Sequence, residues 1–165
     1  MNRYTVLLIL FGSFLFCSIQ IALFAQTRDQ NPSTDLEKIQ GKWQMVLRER
    51  GGELSEIGAI FTIVEGRNFR TIDGSGKVLD SGAITLGEQE KPKTYDATIT
   101  STKDGHENTY LGIYRLQADT WQTCVNGDAS GSRPARFISE PGSKLQMIVW
   151  RRVGSLSDIP ADKTK

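Results

Sequence analysis

The sequence predicts an all-β domain: a single antiparallel barrel of about eight to nine strands with a short N-terminal helix. Three observations support this fold class. Short segments of alternating apolar and polar residues recur at intervals of about ten residues, and turn-forming residues separate them. Only one helical pattern occurs, so strands do not alternate with helices as they would in an α/β fold. No long-period internal repeat indicates a propeller or a solenoid.

The first 25 residues predict a secretory signal peptide. Arg3 supplies a short basic start, and residues 5–16 form an apolar run of the length expected for the core of such a signal. Residues 5–25 also have about the length of a membrane-spanning helix, so an uncleaved anchor is the alternative. We therefore expect an exported protein of the periplasm, cell envelope or extracellular space, with membrane contact only through residues 5–25.

Composition narrows the classes of partner. The chain has 165 residues, 38% of them hydrophobic and 24% charged, which is typical of one globular domain. Without residues 1–25, whose one charged side chain is Arg3, it carries 19 basic and 19 acidic side chains. This balance disfavours a nucleic-acid partner. The same part of the chain has one histidine, His106, and one cysteine, Cys124, so we predict no disulfide framework, no metal site and no cofactor.

The domain is predicted to begin with a helix. Residues 26–33 are polar and form a flexible spacer between the signal and residue 34. Thr34 and Glu37 have the spacing of a capping box, in which each side chain accepts a hydrogen bond from the other residue's backbone. Gly41 can end the helix after about two turns.

The first half of the domain is predicted to form successive strands. Trp43, Met45 and Leu47 fall on one face of the first strand by period-two alternation. Gln44, Val46 and Arg48 fall on the other face, and Gly51-Gly52 ends the strand. Gly82 suits a bulge or bend between two short strands. The strands predicted after Gly52 are 60–64, 68–72, 77–79 and 83–86.

The second half continues the pattern to residue 153. Asn126-Gly127 is the strongest short-range turn signal in the chain. We predict the barrel domain to span residues 34–153 and residues 154–165 to form a mobile tail. The remaining strands are predicted at 95–100, 109–116, 120–125, 136–138 and 144–153.

The two ends of this β unit carry recognisable residues: Gly41-Lys42-Trp43 stands at the start of the first strand, and Arg151-Arg152 stands near the end of the last one. In this arrangement the β unit resembles the lipocalin-like, or calycin, barrels. The resemblance implies that an arginine of the last strand packs over the tryptophan. Because Leu145, Met147 and Val149 form an apolar face of the last strand, parity assigns Arg151 to the contact with Trp43.

A second set of motifs spans residues 35–153. The motifs are DLEKIQGKW from Asp35, KPKTYD from Lys91, LGIY from Leu111, DTWQTC from Asp119, Arg133-Pro134 and SEPG from Ser139. Together they resemble an uncharacterised family of small secreted domains from planctomycete-type bacteria. The resemblance implies an exported bacterial protein, and it assigns no catalytic or binding residue.

Candidate catalytic groups are few. Cys124 and His106 are one nucleophile and base pair, with Asp104 or Glu107 nearby, but a buried strand cysteine and a turn histidine explain them as well. Glu88 and Glu90 lie in a charged turn that is typical of a solvated loop rather than a carboxylate dyad. The acids at the ends of residues 73–80 lack the intervening ligands of a calcium loop. We therefore expect no catalytic residues and no enzymatic activity.

The remaining candidate for a functional site is the interior of the barrel. An eight-stranded barrel is either filled by side chains or holds one small ligand. One hypothesis is therefore a small apolar or amphipathic ligand, with Tyr95 or Trp121 as a polar contact. The alternative is an interaction module of the envelope or cell surface, because Ile148 and Trp150 are expected to point outward. The residues predicted to line the lumen or form its core are Trp43, Met45, Phe61, Phe69, Tyr95, Leu111, Trp121 and Met147.

Overall fold

A computed structural model of the chain describes residues 34–100 and 105–155. The predicted signal peptide, the spacer and residues 156–165 of the predicted tail lie outside these ranges. Within them the one helix, α1, spans Asp35–Lys38, and no helix is both long and apolar enough to cross a membrane. The strands are β1 (Gly41–Arg50), β2 (Glu53–Leu54), β3 (Ile60–Glu65), β4 (Asn68–Asp73), β5 (Val78–Gly87), β6 (Thr94–Thr100), β7 (Glu107–Gln117), β8 (Thr120–Asn126) and β9 (Leu145–Gly154).

The predicted fold class is confirmed. Eight strands form a closed antiparallel barrel. The short strand β2 lies outside this ring and pairs only with the last two residues of β1. Consecutive strands pair from β3 to β9, and β1 closes the barrel because it pairs with both β3 and β9. Each of the eight long strands therefore has a neighbour on both sides, and β1 pairs with β3 through Gly41–Gln44 alone.

Helix α1 confirms the predicted capping box and is shorter than predicted. The Thr34 hydroxyl accepts a hydrogen bond from the Glu37 backbone, and the Glu37 carboxylate accepts one from the Thr34 backbone. The helix has a single turn and Ile39 caps its C-terminus. Gly41 is instead the first residue of β1. Glycine is favoured there because φ is 111° and a Cβ atom would lie 2.7 Å from the carbonyl oxygen of Gly154.

Two strand predictions need correction. Residues 136–138 are not a strand, because they lie in the long connection 127–144 between β8 and β9. The segments predicted on either side of Gly82 form one continuous strand, β5, whose irregularity lies nearer Val78. Gly82 is required for a different reason: a Cβ there would lie 2.0 Å from the carbonyl oxygen of Thr98 on β6.

Candidate functional site

The barrel interior next to α1 is a solid core. Trp43 on β1 is fully buried, and its indole N–H donates to the carbonyl oxygen of Ile39 at 2.7 Å. The Trp121 ring packs edge-on against Trp43, with centroids 5.8 Å apart, and stacks on Trp150. The side chains of Val64 and other core residues complete this cluster. This end of the barrel is therefore packed with side chains, which is one of the two arrangements expected for an eight-stranded barrel.

An arginine of the last strand covers Trp43, and it is Arg152 rather than the predicted Arg151. The Arg152 guanidinium carbon lies 4.2 Å from the centroid of the Trp43 ring. Its amino groups donate to the carbonyl oxygens of Gln40, at 2.7 Å, and of Lys38. Arg152 is paired directly with Trp43 in the sheet, whereas Arg151 pairs with Gln44 and is exposed. Arg151 lies on the outer face of β9, so its predicted contact with Trp43 is wrong.

A buried carboxylate joins α1 to the barrel wall. Asp35 is 4% exposed and accepts hydrogen bonds from Lys93 at 2.5 Å, Tyr114 at 2.9 Å and Lys38 at 3.1 Å. Burial opposes ionisation of Asp35, but these donors outweigh it and lower the pKa of its carboxyl group. Burial and the neighbouring carboxylate together raise the pKa of the Tyr114 hydroxyl. Asp35 thus holds α1 against the closed, side-chain-filled end of the barrel.

The opposite end of the barrel contains a cavity of about 330 Å³ that opens to solvent. Ligand pockets range from about 300 to 1,000 Å³, so this volume suits a small molecule. The cavity begins where the core ends, because Met45, Phe69 and Trp150 belong to both. Its apolar wall consists of Met45, Ile60, Phe69, Leu79, Ala97, Ile99, Val125, Ile148 and Trp150.

Polar groups also line this cavity. Arg48 and Arg50 approach it from β1, and Asp80 lies on β5, three strands around the barrel. The Arg48 Nε atom is buried and has no hydrogen-bond partner among the described residues. Burial raises the pKa of the Tyr95 hydroxyl further above its usual range, and the protonated hydroxyl can donate a hydrogen bond. The other polar lining residues are Thr71, Tyr110, Thr123, Asn126 and Gln146.

A β-bulge places two arginines of β1 on the cavity side of the sheet. The register of β1 against β9 shifts between Met45 and Leu47, because β1 has one more residue than β9 between these two pairs. Beyond the shift Arg48 pairs with Ile148, which lines the cavity, and Leu47 pairs with Val149 on the outer face. Sequence alternation placed Leu47 inside and Arg48 outside. No sequence signal marked the bulge, and these functional candidates were therefore missed.

The predicted lining residues divide into three groups. Met45, Phe69 and Tyr95 line the cavity, and Trp43 and Trp121 lie in the core. Phe61, Leu111 and Met147 lie on the outer face of the barrel, because the adjacent residue in each strand faces inward. Their partners in the sheet are Gln44 for Phe61, Asp96 for Leu111, and Cys124 and Glu49 for Met147.

The connection 127–144 explains why parity failed in the later strands. It forms an outer strap across β6 to β9, and Arg133 anchors it with two hydrogen bonds to the Asp96 carboxylate and one to the Gly112 carbonyl oxygen. Under the strap Ile113 and Cys124 are fully buried although they face away from the lumen. Both faces of these strands are therefore apolar, and alternation cannot show which one is inside.

The expected outward position of Ile148 and Trp150 is wrong. They are 8% and 7% exposed, belong to the core cluster and line the cavity. The alternative of an interaction module loses the observation on which it depended.

Cys124 and His106 are not brought together. Cys124 lies beneath the strap, where its thiol is 3.6 Å from the Ile138 carbonyl oxygen and burial raises its pKa. Its partner on β7 is Ile113, and His106 precedes Ile113 by seven residues, or about 23 Å of extended strand. The Asp73 carboxylate caps its own turn through Ser75 and Lys77, whereas Asp80 faces the cavity. No group of three or more metal-binding side chains occurs among the described residues.

A second depression lies beside Gly82, between β4, β5 and β6. It is more open than the barrel cavity, and Phe69 is the one large apolar side chain among the described residues that line it. The barrel cavity is thus the better candidate for a binding site.

Comparisons with known proteins do not identify the ligand. No protein-family model, curated protein or solved structure matches the chain. The functional conclusion therefore depends on the geometry of the cavity.

Proposed function

We propose that the protein binds a small amphipathic molecule in the open end of its barrel. The observation that carries this proposal is the cavity itself: about 330 Å³, with core side chains in its apolar wall and exposed charged residues, Arg50 and Asp80, among its polar lining. An amphipathic molecule matches that division, because its apolar part can replace water against Phe69 and Trp150 while its polar part stays near the mouth.

Export forms part of the same proposal. The basic start and apolar run of residues 1–25 support it. Because residues 26–165 contain one cysteine, the domain would function in that compartment without an internal disulfide, through its core alone. The barrel and the Trp43–Arg152 contact support the lipocalin-like part of the sequence resemblance. Fractionation of the cells and N-terminal sequencing of the mature chain test export, and an intact Met1 on a cytosolic protein would contradict it.

Native mass spectrometry of the protein purified from its own cells tests ligand binding directly. We expect a fraction of the barrel to carry an additional mass that organic solvent removes. Calorimetry with 1-octanol and octanoate then tests the emptied barrel. If no mass is carried and neither compound binds at millimolar concentration, the proposed function is wrong.

A pair of variants locates the site. Ile99 lines the cavity, so Ile99→Trp fills part of it and is expected to weaken binding of both compounds by about tenfold or more. Thr85 is exposed on β5 and does not line the cavity, so Thr85→Trp adds the same side chain outside and is expected to leave binding unchanged. Equal effects of the two variants would place the ligand elsewhere.

A further inference from the structure

We infer that the ligand is a medium-chain monocarboxylate whose carboxylate binds Arg48 and whose chain lies along the apolar wall. This inference rests on the proposed function and names the class of molecule. It depends on three features of the cavity: an unpaired guanidinium, one acidic residue on the facing wall, and the volume.

Arg48 lacks a side-chain partner in the part of the protein that the structure describes. Its Nε atom is buried without a hydrogen bond, and neither the Arg48 nor the Arg50 guanidinium forms an ion pair or hydrogen bond with any group in residues 34–100 and 105–155. By contrast, Arg133 and Arg152 each have several acceptors. A partly buried guanidinium without an acceptor is unfavourable, and an anion in the cavity would supply one. The planar guanidinium matches the two oxygens of a carboxylate in a bidentate arrangement.

Asp80 limits the charge of that anion. It lines the cavity from β5, three strands away from β1 around a ring of eight. Among the described lining residues, the two arginines therefore exceed the acidic groups by one charge. A single negative charge on the ligand balances this excess, whereas a dianionic phosphate would add repulsion from Asp80. A monocarboxylate is thus favoured over a phosphate ester.

The cavity volume sets the length of the chain. At about 30 Å³ for each non-hydrogen atom, as in a liquid, about 330 Å³ holds about eleven such atoms. This corresponds to a saturated carboxylic acid of about eight to ten carbons. Its chain would contact Met45, Phe69 and Trp150 at the bottom of the cavity, and its carboxylate would reach Arg48 nearer the mouth.

The test compares head groups on one eight-carbon chain. Isothermal titration calorimetry of the full barrel with octanoate, 1-octanol and octyl phosphate measures what the carboxylate contributes. We expect octanoate to bind at least about tenfold more tightly than 1-octanol, because a hydrogen bond to a charged group replaces a neutral contact. We expect octyl phosphate to bind more weakly than octanoate. If 1-octanol binds as tightly as octanoate, this inference is wrong while the proposed function stands; if octyl phosphate binds most tightly, the carboxylate assignment is wrong.

Variants identify the residues involved. Arg48→Gln is expected to reduce the preference for octanoate over 1-octanol to less than about threefold, and Arg48→Lys to give an intermediate preference because it keeps the charge and loses the planar fork. Asp80→Asn is expected to strengthen octyl phosphate binding more than octanoate binding. Arg151→Gln is the matched control, since Arg151 is an exposed arginine outside the cavity. A preference that survives both substitutions of Arg48 would contradict its assigned role, and 1-octanol binding by each variant verifies that the cavity is intact.

Discussion

The guanidinium of Arg152 lies 4.2 Å above the ring of Trp43, and the two residues face each other directly across the β1–β9 pairing that closes the barrel. The same guanidinium donates to two carbonyl oxygens at the end of α1, and its Nε donates to Asp119 at 3.2 Å. One side chain thus connects the first strand, the last strand, the helix and the turn between β7 and β8.

Arg152→Ala should therefore lower the stability of the barrel. Loss of the cation–π contact and of the hydrogen bonds to carbonyl oxygens is expected to reduce the free energy of unfolding by about 2–4 kcal/mol. Arg151→Ala removes an exposed arginine one residue away and should change the free energy of unfolding by no more than about 0.5 kcal/mol. Urea unfolding of both variants makes the comparison. Equal losses would mean that Arg151 makes contacts of similar value.

Asp35 is expected to make the stability of the fold depend on pH in the acidic range. Its pKa is lowered in the folded protein, so the ionised carboxylate stabilises the fold above the unfolded-state pKa of about 3.9 and this contribution is lost as the pH falls through the folded pKa. Asp35→Asn should cost about 1.5–3 kcal/mol near neutral pH, and the difference from the unsubstituted protein should narrow below about pH 4. Unfolding free energies across this range test the prediction.

The control for Asp35 is Glu65→Gln, which changes an exposed acid at the end of β3 and should alter stability by no more than about 0.5 kcal/mol near neutral pH. A difference between Asp35→Asn and the unsubstituted protein that stays constant down to about pH 2 would contradict the proposed role of the ionised carboxylate.

Gly82→Ala should disrupt the pairing of β5 with β6. The added methyl group would lie 2.0 Å from the Thr98 carbonyl oxygen, so one of the two strands must move, at an expected cost of about 2 kcal/mol or more. Gly58 has no atom within 4 Å of the corresponding position, and Gly58→Ala should be neutral or slightly stabilising. Thermal unfolding of the pair measures the difference. A Gly82→Ala protein as stable as Gly58→Ala would show that the sheet can adapt.

The outer strap should control access to Cys124. The thiol is fully buried, and burial raises its pKa, so reaction with a thiol reagent requires the strap to open. In a chain carrying Cys17→Ser, Arg133→Ala should accelerate labelling by about tenfold or more, because it removes the hydrogen bonds to Asp96 and Gly112.

Arg136 provides the control for this measurement. It is an exposed arginine of the same strap, 3.4 Å from Glu140, and Arg136→Ala should leave the labelling rate nearly unchanged. Unchanged rates in Arg133→Ala as well would mean that the strap is held by its other contacts.

Local chemistry made the main features of the fold predictable. The Thr34 and Glu37 capping box was recognisable because both hydrogen bonds form within four residues. Most strands were recognisable because alternation is clear wherever one face meets water, as at the start of β1. The strand predicted at 136–138 is wrong because the apolar residues of this segment belong to the strap that packs on the outside of the barrel.

The assignment of faces could not be predicted, and the candidate site depends on it. Ile148 and Trp150 were placed outside because β9 is apolar on both sides, one packed in the barrel and the other near the strap. Arg48 was placed outside because the bulge after Met45 reverses the alternation. The sequence of a strand does not specify what covers its outer face or where its partner skips a residue.

The sequence by itself therefore determined the all-β fold class, the position of most strands, the helix cap and the balance of charge, since each depends on neighbouring residues or on composition. Only the tertiary structure decided that Arg152 covers Trp43, that the connection 127–144 packs on the outside, and that two arginines line the cavity. These outcomes depend on pairings between residues far apart in the chain. A shift of one residue in such a pairing moves a side chain from one face of the sheet to the other.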